Sequence, residues 1–329
     1  MSYATLKKFS DDRTNQYVIA MGWYGFIAIY PAILAALTIF GLIGAESLGK
    51  GLVATLHSFP VIGSEFNPER ASSSLHGSPV ALVVGLLGLI YGAQGATLTA
   101  QSAMAQVWNV PALELPKLPV RLVRSLVGLI IIGGSFVANA PLAALATGSS
   151  AAPWAEALLI VAMIVINGAF YWIAFMVLTP GRARPRQLVA GAVLGSVGFT
   201  LLITLAAGLI QHQLRHSTET YGQFGVVIGL VGFLFLLAKL SLYGAELNSV
   251  LAGHLWPRAL AGGDPTSADD QVLRDIAQQA VRRKDQRIRV TFGNGSGDSS
   301  EVGSGSDSEP ASELEKSISE GTESAGPPA

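Results

Sequence analysis

The chain has 329 residues, half of them hydrophobic and only 13% charged, with a formal net charge of −1. Soluble domains carry about 25% charged residues, so this composition excludes an ordinary water-soluble globular protein. There is no cysteine, which excludes disulfides, thiolate-held zinc, iron–sulfur ligation and thiol nucleophiles.

Residues 1–16 are polar and read as a cytoplasmic lead-in, a short surface helix carrying Lys7, Lys8 and Arg13. No short apolar stretch with a cleavage site follows, so no removable signal peptide is expected. A helix rises about 1.5 Å per residue, so roughly 20 apolar residues cross a bilayer. The first such run is 17–44, interrupted by Pro31, a candidate hinge. Residues 45–78 form the longest connection, where Leu48, Leu52 and Leu56 point to a helix on the outer surface. The second span, 79–107, carries Gln94, Gln101 and Gln106 on one side with Thr97 beside them. Prolines 111, 116 and 119 hold the next loop extended. The third span, 122–146, contains Asn139 and Pro141, the second candidate hinge. The fourth, 153–178, opens on a proline, where the missing N–H costs nothing, and carries Asn167. The fifth, 188–210, ends at the polar loop QHQLRHSTET, and the sixth covers 224–251.

These runs predict an all-α polytopic membrane protein with six spans over residues 17–258. With the N-terminus inside, the cytoplasmic segments hold Lys7, Lys8, Arg13, Lys117, Arg121, Arg124, Arg182, Arg184, Arg186 and Arg258. The outer loops hold only Lys50, Arg70 and Arg215. Ten basic residues against three place both termini in the cytoplasm. Residues 259–329 form a cytoplasmic tail. An amphipathic helix is expected over about 270–289, with Ser267, Asp269 and Asp270 at its start and a basic half (Arg282, Arg283, Lys284, Arg287, Arg289) suited to anionic lipid. The end from Gly293 is Gly/Ser/Glu-rich and is expected to be disordered. The pairs Gly88/Gly92, Gly191/Gly195 and Gly225/Gly229 have the spacing of close helix contacts.

The sixth span places Lys239, Tyr243, Glu246 and Asn248 in an apolar run. A charge at bilayer depth costs roughly 2.5–3.5 kcal/mol on insertion scales, so such residues face protein or a wet cavity. Lys239, Tyr243 and Glu246 share one helix face. Helical side chains lean toward the N-terminus, so Lys239 leans away from Glu246 and no direct pair is expected. Two readings of Glu246 stand. It is a structural carboxylate bonded across helices, with Asn248 bonding on another face, or a substrate- or proton-coupling group. Lys239 is expected to meet Asn139, Asn167 or a second-span glutamine, or to line a cavity for an anionic headgroup. Gln94 and Gln101 either line a path or bond to neighbouring helices.

The run Tyr221 to Leu251, a Tyr-Gly followed by an apolar stretch and Gly-Ala-Glu-Leu-Asn at 244–248, resembles the closing signature of the YihY/BrkB family of bacterial inner-membrane proteins. Trp23 to Gly41 is similar to the family's first span, and Gln106 to Pro111, with Arg121 and Arg124, resembles its YhjD-like branch. The sequence departs from the family at Lys239 and at Arg184–Pro185–Arg186, where a tryptophan–arginine pair is usual. The resemblance covers about 5–258 and implies six helices, a multi-pass location in the bacterial cytoplasmic membrane, and a role in envelope integrity or envelope-lipid export.

The family was formerly labelled ribonuclease BN, yet the five histidines are dispersed and the basic residues form no groove with stacking aromatics, so no nucleic-acid partner is expected. His212 and His216, with Glu219, have the spacing of a metal pair but lack a further ligand, and a solvated outer loop is the simpler reading. No cofactor or enzymatic constellation is expected. The expected function is transport or export of an envelope lipid or anionic amphiphile through a polar cavity. The alternative is a non-transporting scaffold whose tail recruits a cytoplasmic partner. Membrane lipids and a second copy of the chain are the other expected partners. The loop arginines Arg121, Arg124, Arg182, Arg184 and Arg186 are candidate headgroup contacts.

Overall fold

The computed structural model describes residues 1–42, 79–148, 153–181, 183–260 and 263–292. Met1–Val290 forms one compact unit. Its helices are α1 (Ser2–Asp11), α2 (Asn15–Leu42), α3 (Pro79–Val107), α4 (Leu118–Gly148), α5 (Pro153–Leu178), α6 (Val189–Gly253) and α7 (Ser267–Gln279), and no strand occurs among the described residues. Six helical segments are long and apolar enough to cross a membrane: Asn15–Ala35, Leu82–Val107, Leu118–Ser135, Ala157–Leu178, Pro185–Ile203 and Val227–Gly253. Large apolar side chains, among them Trp23, Leu87, Ile130, Val165 and Ile228, are exposed on the outside of the bundle. Water does not tolerate such continuous apolar surface, but lipid does.

The fifth and sixth spans belong to one helical segment, α6, with helical backbone running through QHQLRHSTET where a loop was expected. That segment cannot be straight. The Gly191 N–H donates to Asn248 Oδ1 at 2.6 Å across 57 residues, which a straight helix would hold about 85 Å apart. Gly198 likewise meets Leu240. Both pairs put the reversal near residue 219, and the two arms of α6 run antiparallel. Their approach is closest where Gly191 faces Gly244, because a Cβ on Gly191 would collide with the Gly244 carbonyl. On α3, Gly88 receives the Pro31 ring and Gly92 the backbone of Ala28. Pro31 therefore sits inside α2 as a packing surface. Gly195 meets the Tyr171 ring, whereas Gly229 is exposed.

The helix ends gather into a layer at one end of the bundle. Three of them close with a non-glycine residue in the left-handed conformation: Arg13, Asn109 and His254. At each, the next N–H reaches back five residues: Thr14 to Phe9 O, Val110 to Ala105 O, Leu255 to Val250 O. This is the Schellman closure, which satisfies carbonyls that a helix end otherwise orphans. It explains Asn109 in the segment QVWNVP.

The tail begins differently from expectation. α7 ends at Gln279, and its apolar side does not rest on lipid: Val272 is buried with Ala4, Val250 and Leu255. Thr266 caps it, its hydroxyl and Asp269 closing a reciprocal capping box. The basic residues 282–289 lie beyond the helix and are exposed. The region around Leu48, Leu52 and Leu56 and the end from Gly293 lie outside the described residues.

Candidate functional site

The charged lead-in is where sequence and structure differ most. α1 is not a surface helix. Ala4, Thr5, Lys8 and Phe9 are buried on one side of it, four positions that a helix of 3.6 residues per turn brings to one face. Lys8 is fully buried and its ammonium donates three hydrogen bonds: to Asp12, to the Val107 carbonyl at 2.8 Å and to Glu246 Oε2 at 3.2 Å. The Val107 carbonyl is available because α3 ends there; it also accepts from Ser249 Oγ at 2.9 Å. Thr14, placed by the Arg13 turn, donates to Glu246 Oε1 at 2.7 Å. All three charged side chains, Lys8, Asp12 and Glu246, are shut off from solvent. Burial by itself would push the Lys8 ammonium down, but the Glu246 and Asp12 carboxylates outweigh it and hold it above its ordinary range. Burial pushes the Asp12 carboxyl up to about 7, with Lys8 pulling against that rise and Glu246 adding to it.

The shared face of Lys239, Tyr243 and Glu246 therefore docks α1 rather than lining a cavity. Phe9 packs on Tyr243 with ring centroids 4.3 Å apart, and the half-buried Lys239 ammonium stands 5.9 Å from the Tyr243 ring centre. Of the partners expected for Lys239, Asn139 has its side chain outside the described residues, and the contact described for the ammonium is the Tyr243 ring. Asn248 is fully buried and closes the start of α6: Oδ1 accepts from the Gly191 N–H, and Nδ2 donates to the Leu188 carbonyl at 3.2 Å. Every polar or small residue of Gly244–Asn248 thus has a packing task. Gly244 admits Gly191, Ala245 is buried, Glu246 holds α1, and Asn248 caps the opposite arm.

A second polar cluster adjoins the first. Asp269 accepts from Lys7 at 2.8 Å, Arg258 Nε at 2.6 Å, and the Ala259 N–H at 2.9 Å. Arg258 also holds Asp11 at 2.7 Å. Burial raises the Asp269 carboxyl, but the Lys7, Ala259, Arg258 and Thr266 hydrogen bonds prevail and hold it well below the usual carboxylate range. This cluster ties α1 and α7 to the segment after α6.

The cavity lies elsewhere. It has a volume of about 310 Å³ and is lined by residues of α2 to α5 and both arms of α6, mostly Ala, Ile, Leu, Met and Phe. Its polar lining residues are Thr97, Ser135, Asn167, Tyr171 and Ser241, with Tyr171 and Ser241 hydroxyls 3.2 Å apart. No charged residue lines it among those described. Where a polar, cationic cavity was expected, the described lining is mostly apolar and uncharged, and Glu246 instead holds α1. Of the sequence candidates, Asn167 lines it and Thr97 joins from the second span. Gln101 is buried, donating to the Arg121 carbonyl at 3.0 Å, and Gln106 accepts from Gln279. Gln94 is partly buried and does not line it. Arg121 bonds to Ser102 Oγ at 2.8 Å, Arg124 is partly buried, and Arg184 and Arg186 are exposed. Arg182 and the side chains of Asn139, Pro141, His212, His216 and Glu219 lie outside the described residues.

No curated protein and no solved structure matches the chain. Residues 5–267 match the family described as Virulence factor BrkB. That stretch starts in α1, takes in all six apolar segments, and ends at the first residue of α7, so it contains both partners of the buried Lys8–Glu246 contact. A match over most of the chain, joined to six apolar helices of spanning length, makes this a multi-pass membrane protein that belongs to the BrkB virulence factor family.

Proposed function

We propose that the protein binds and moves an envelope lipid or a comparable anionic amphiphile in the bacterial cytoplasmic membrane, taking its hydrocarbon part into the cavity between α2, α3, α4, α5 and α6. The observation that carries this reading is the lining, apolar except for five neutral polar residues. Lipid tails are as apolar as leucine, so an acyl chain gains little from burial alone when it leaves the bilayer for such a cavity. Selection must come from shape and from those polar residues, which suit a hydroxyl, amide or ester near the top of the chain. The described lining offers no charged partner for an anionic headgroup, so the headgroup stays at the end of the bundle where Arg184 and Arg186 are exposed. That end faces the cytoplasm by the excess of basic residues in its segments. The reaction class is binding and translocation without covalent chemistry.

The test is lipid retention. Full-length protein is purified in nanodiscs of bacterial lipid, and co-purifying lipid is measured by native mass spectrometry in the wild type, Ala238→Phe and Ala96→Phe. Both alanines line the cavity. Filling it should lower retained lipid roughly tenfold, as for about 1.4 kcal/mol of lost affinity, while thermal unfolding stays near the wild type. Unchanged retention in a folded, cavity-filled variant would sink the reading.

A further inference from the structure

We propose that the Lys8–Asp12–Glu246 cluster is a proton-binding site that locks α1 onto the bundle, and that losing its proton releases α1. The charge count comes first. One ammonium and two carboxylates, all fully buried, sum to −1 if every group is ionised. An uncompensated charge away from water is unfavourable by several kcal/mol, and a single proton removes it. Among the described residues no neighbour supplies the missing positive charge: Arg13, next to Asp12, is exposed. Asp11 on α1 already pairs with Arg258, and Asp269 on α7 takes Lys7 together with Arg258, so that adjoining network is balanced in itself. α3 presents the Val107 carbonyl, another acceptor, and α6 presents Glu246.

Geometry points to Asp12 as the carboxyl that shares the proton. Both Glu246 oxygens receive hydrogen bonds, from Lys8 and Thr14, whereas Asp12 Oδ1 is buried with no donor. Asp12 also caps the C-terminal end of α1, where the helix macrodipole is negative and disfavours a carboxylate. The rise of the Asp12 carboxyl to about 7 agrees with this placement. A group that binds its proton more tightly when docked stabilises the docked state fully below the ordinary Asp range. That contribution is lost as pH rises through about 7. This inference does not depend on what occupies the cavity.

The experiment follows hydrogen exchange of the α1 amides, corrected for intrinsic rate, in full-length protein in nanodiscs from about pH 4.5 to about pH 8.5. The wild type should lose protection by about tenfold per pH unit between the ordinary Asp range and neutrality, the slope of one linked proton, and level off above about 7. Asp12→Asn leaves one ammonium facing one carboxylate, so its protection should be flat with pH. Glu246→Gln should be flat for the same reason. A flat wild type, or an undiminished slope in Asp12→Asn, overturns the proposal. If those variants do not fold, the wild type alone decides by infrared spectroscopy: a protonated-carboxyl band present near pH 6 and absent near pH 8.5 supports it, and no such band at the lower pH overturns it. Restoration of α1 protection at fixed alkaline pH by sodium, but not by choline, would assign the site to a metal cation and overturn the proton.

Discussion

Asn248 shows how much one buried side chain can hold. Its amide satisfies one N–H and one C=O at the start of α6, on the arm opposite its own. Asn248→Leu keeps the branched shape and removes both bonds, and each orphaned group costs about 1–3 kcal/mol. Thermal unfolding in detergent should reveal a loss of about 2–6 kcal/mol on that basis. Lys239, four positions below Tyr243, is the counter-case. Among the described residues Lys239→Leu forfeits a cation–π contact worth about 0.5–1 kcal/mol, so stability and α1 protection should stay near the wild type. A collapse of the fold in Lys239→Leu would mean that its charge has a partner beyond Tyr243. By sequence alone the two residues were equally conspicuous, polar intruders in one apolar run. Only the position of the other arm distinguishes a cap from a bystander.

At the scale of elements, backbone approach decides tolerance. Gly191→Ala would drive a methyl group into the Gly244 carbonyl, and backbone on both sides leaves no flexible side chain to move aside. Overpacking of this kind costs roughly 1–3 kcal/mol. Gly232, in the same helix, has open space around its Cα, so Gly232→Ala should be neutral or gain up to about 1 kcal/mol of helix propensity. Comparing the two melting temperatures tests whether the α6 arms touch as described. The spans were legible because apolar length against bilayer thickness is a one-dimensional signal. The joining of the last two was not, since QHQLRHSTET is polar without being helix-breaking: it contains neither proline nor glycine. α1 was illegible for another reason. Lys8 and Asp12, four apart on a short polar helix, look like a solvated surface pair. The partner that explains them, Glu246, is 238 positions away, and no periodicity encodes that distance. The glycine spacing was legible at two of the three pairs: Gly88/Gly92 and Gly191/Gly195 mark close contacts, while Gly229 is exposed.

For the whole molecule, two charge networks respond to pH in opposite directions. The Asp269 carboxyl is held low, so its contribution is complete above the ordinary Asp range and fades only as strong acid protonates it. The Lys8 cluster weakens instead as pH rises through about 7. Mild alkali should therefore loosen α1 while α7 stays docked, and strong acid should free α7. Limited proteolysis at the two extremes, read by which terminus is cut, checks the order. α7 is part of the packed unit, so truncation before Ser267 should destabilise the bundle by exposing Val250 and Leu255, whereas truncation after Val290 should leave melting unchanged. A partner-recruiting tail is best sought in the second truncation alone.

The burial of Lys8 by Glu246 also bears on how the chain is made. Lys8 precedes the first span and Glu246 lies in the last, so during synthesis the lysine waits, charged and in water, until the sixth apolar segment has been inserted. In that interval it belongs to the basic flank of the first segment, and such flanks bias the orientation in which a segment inserts. Afterwards the same ammonium leaves water for its two carboxylates. One residue thus stands in water early and later joins α1 to the last span.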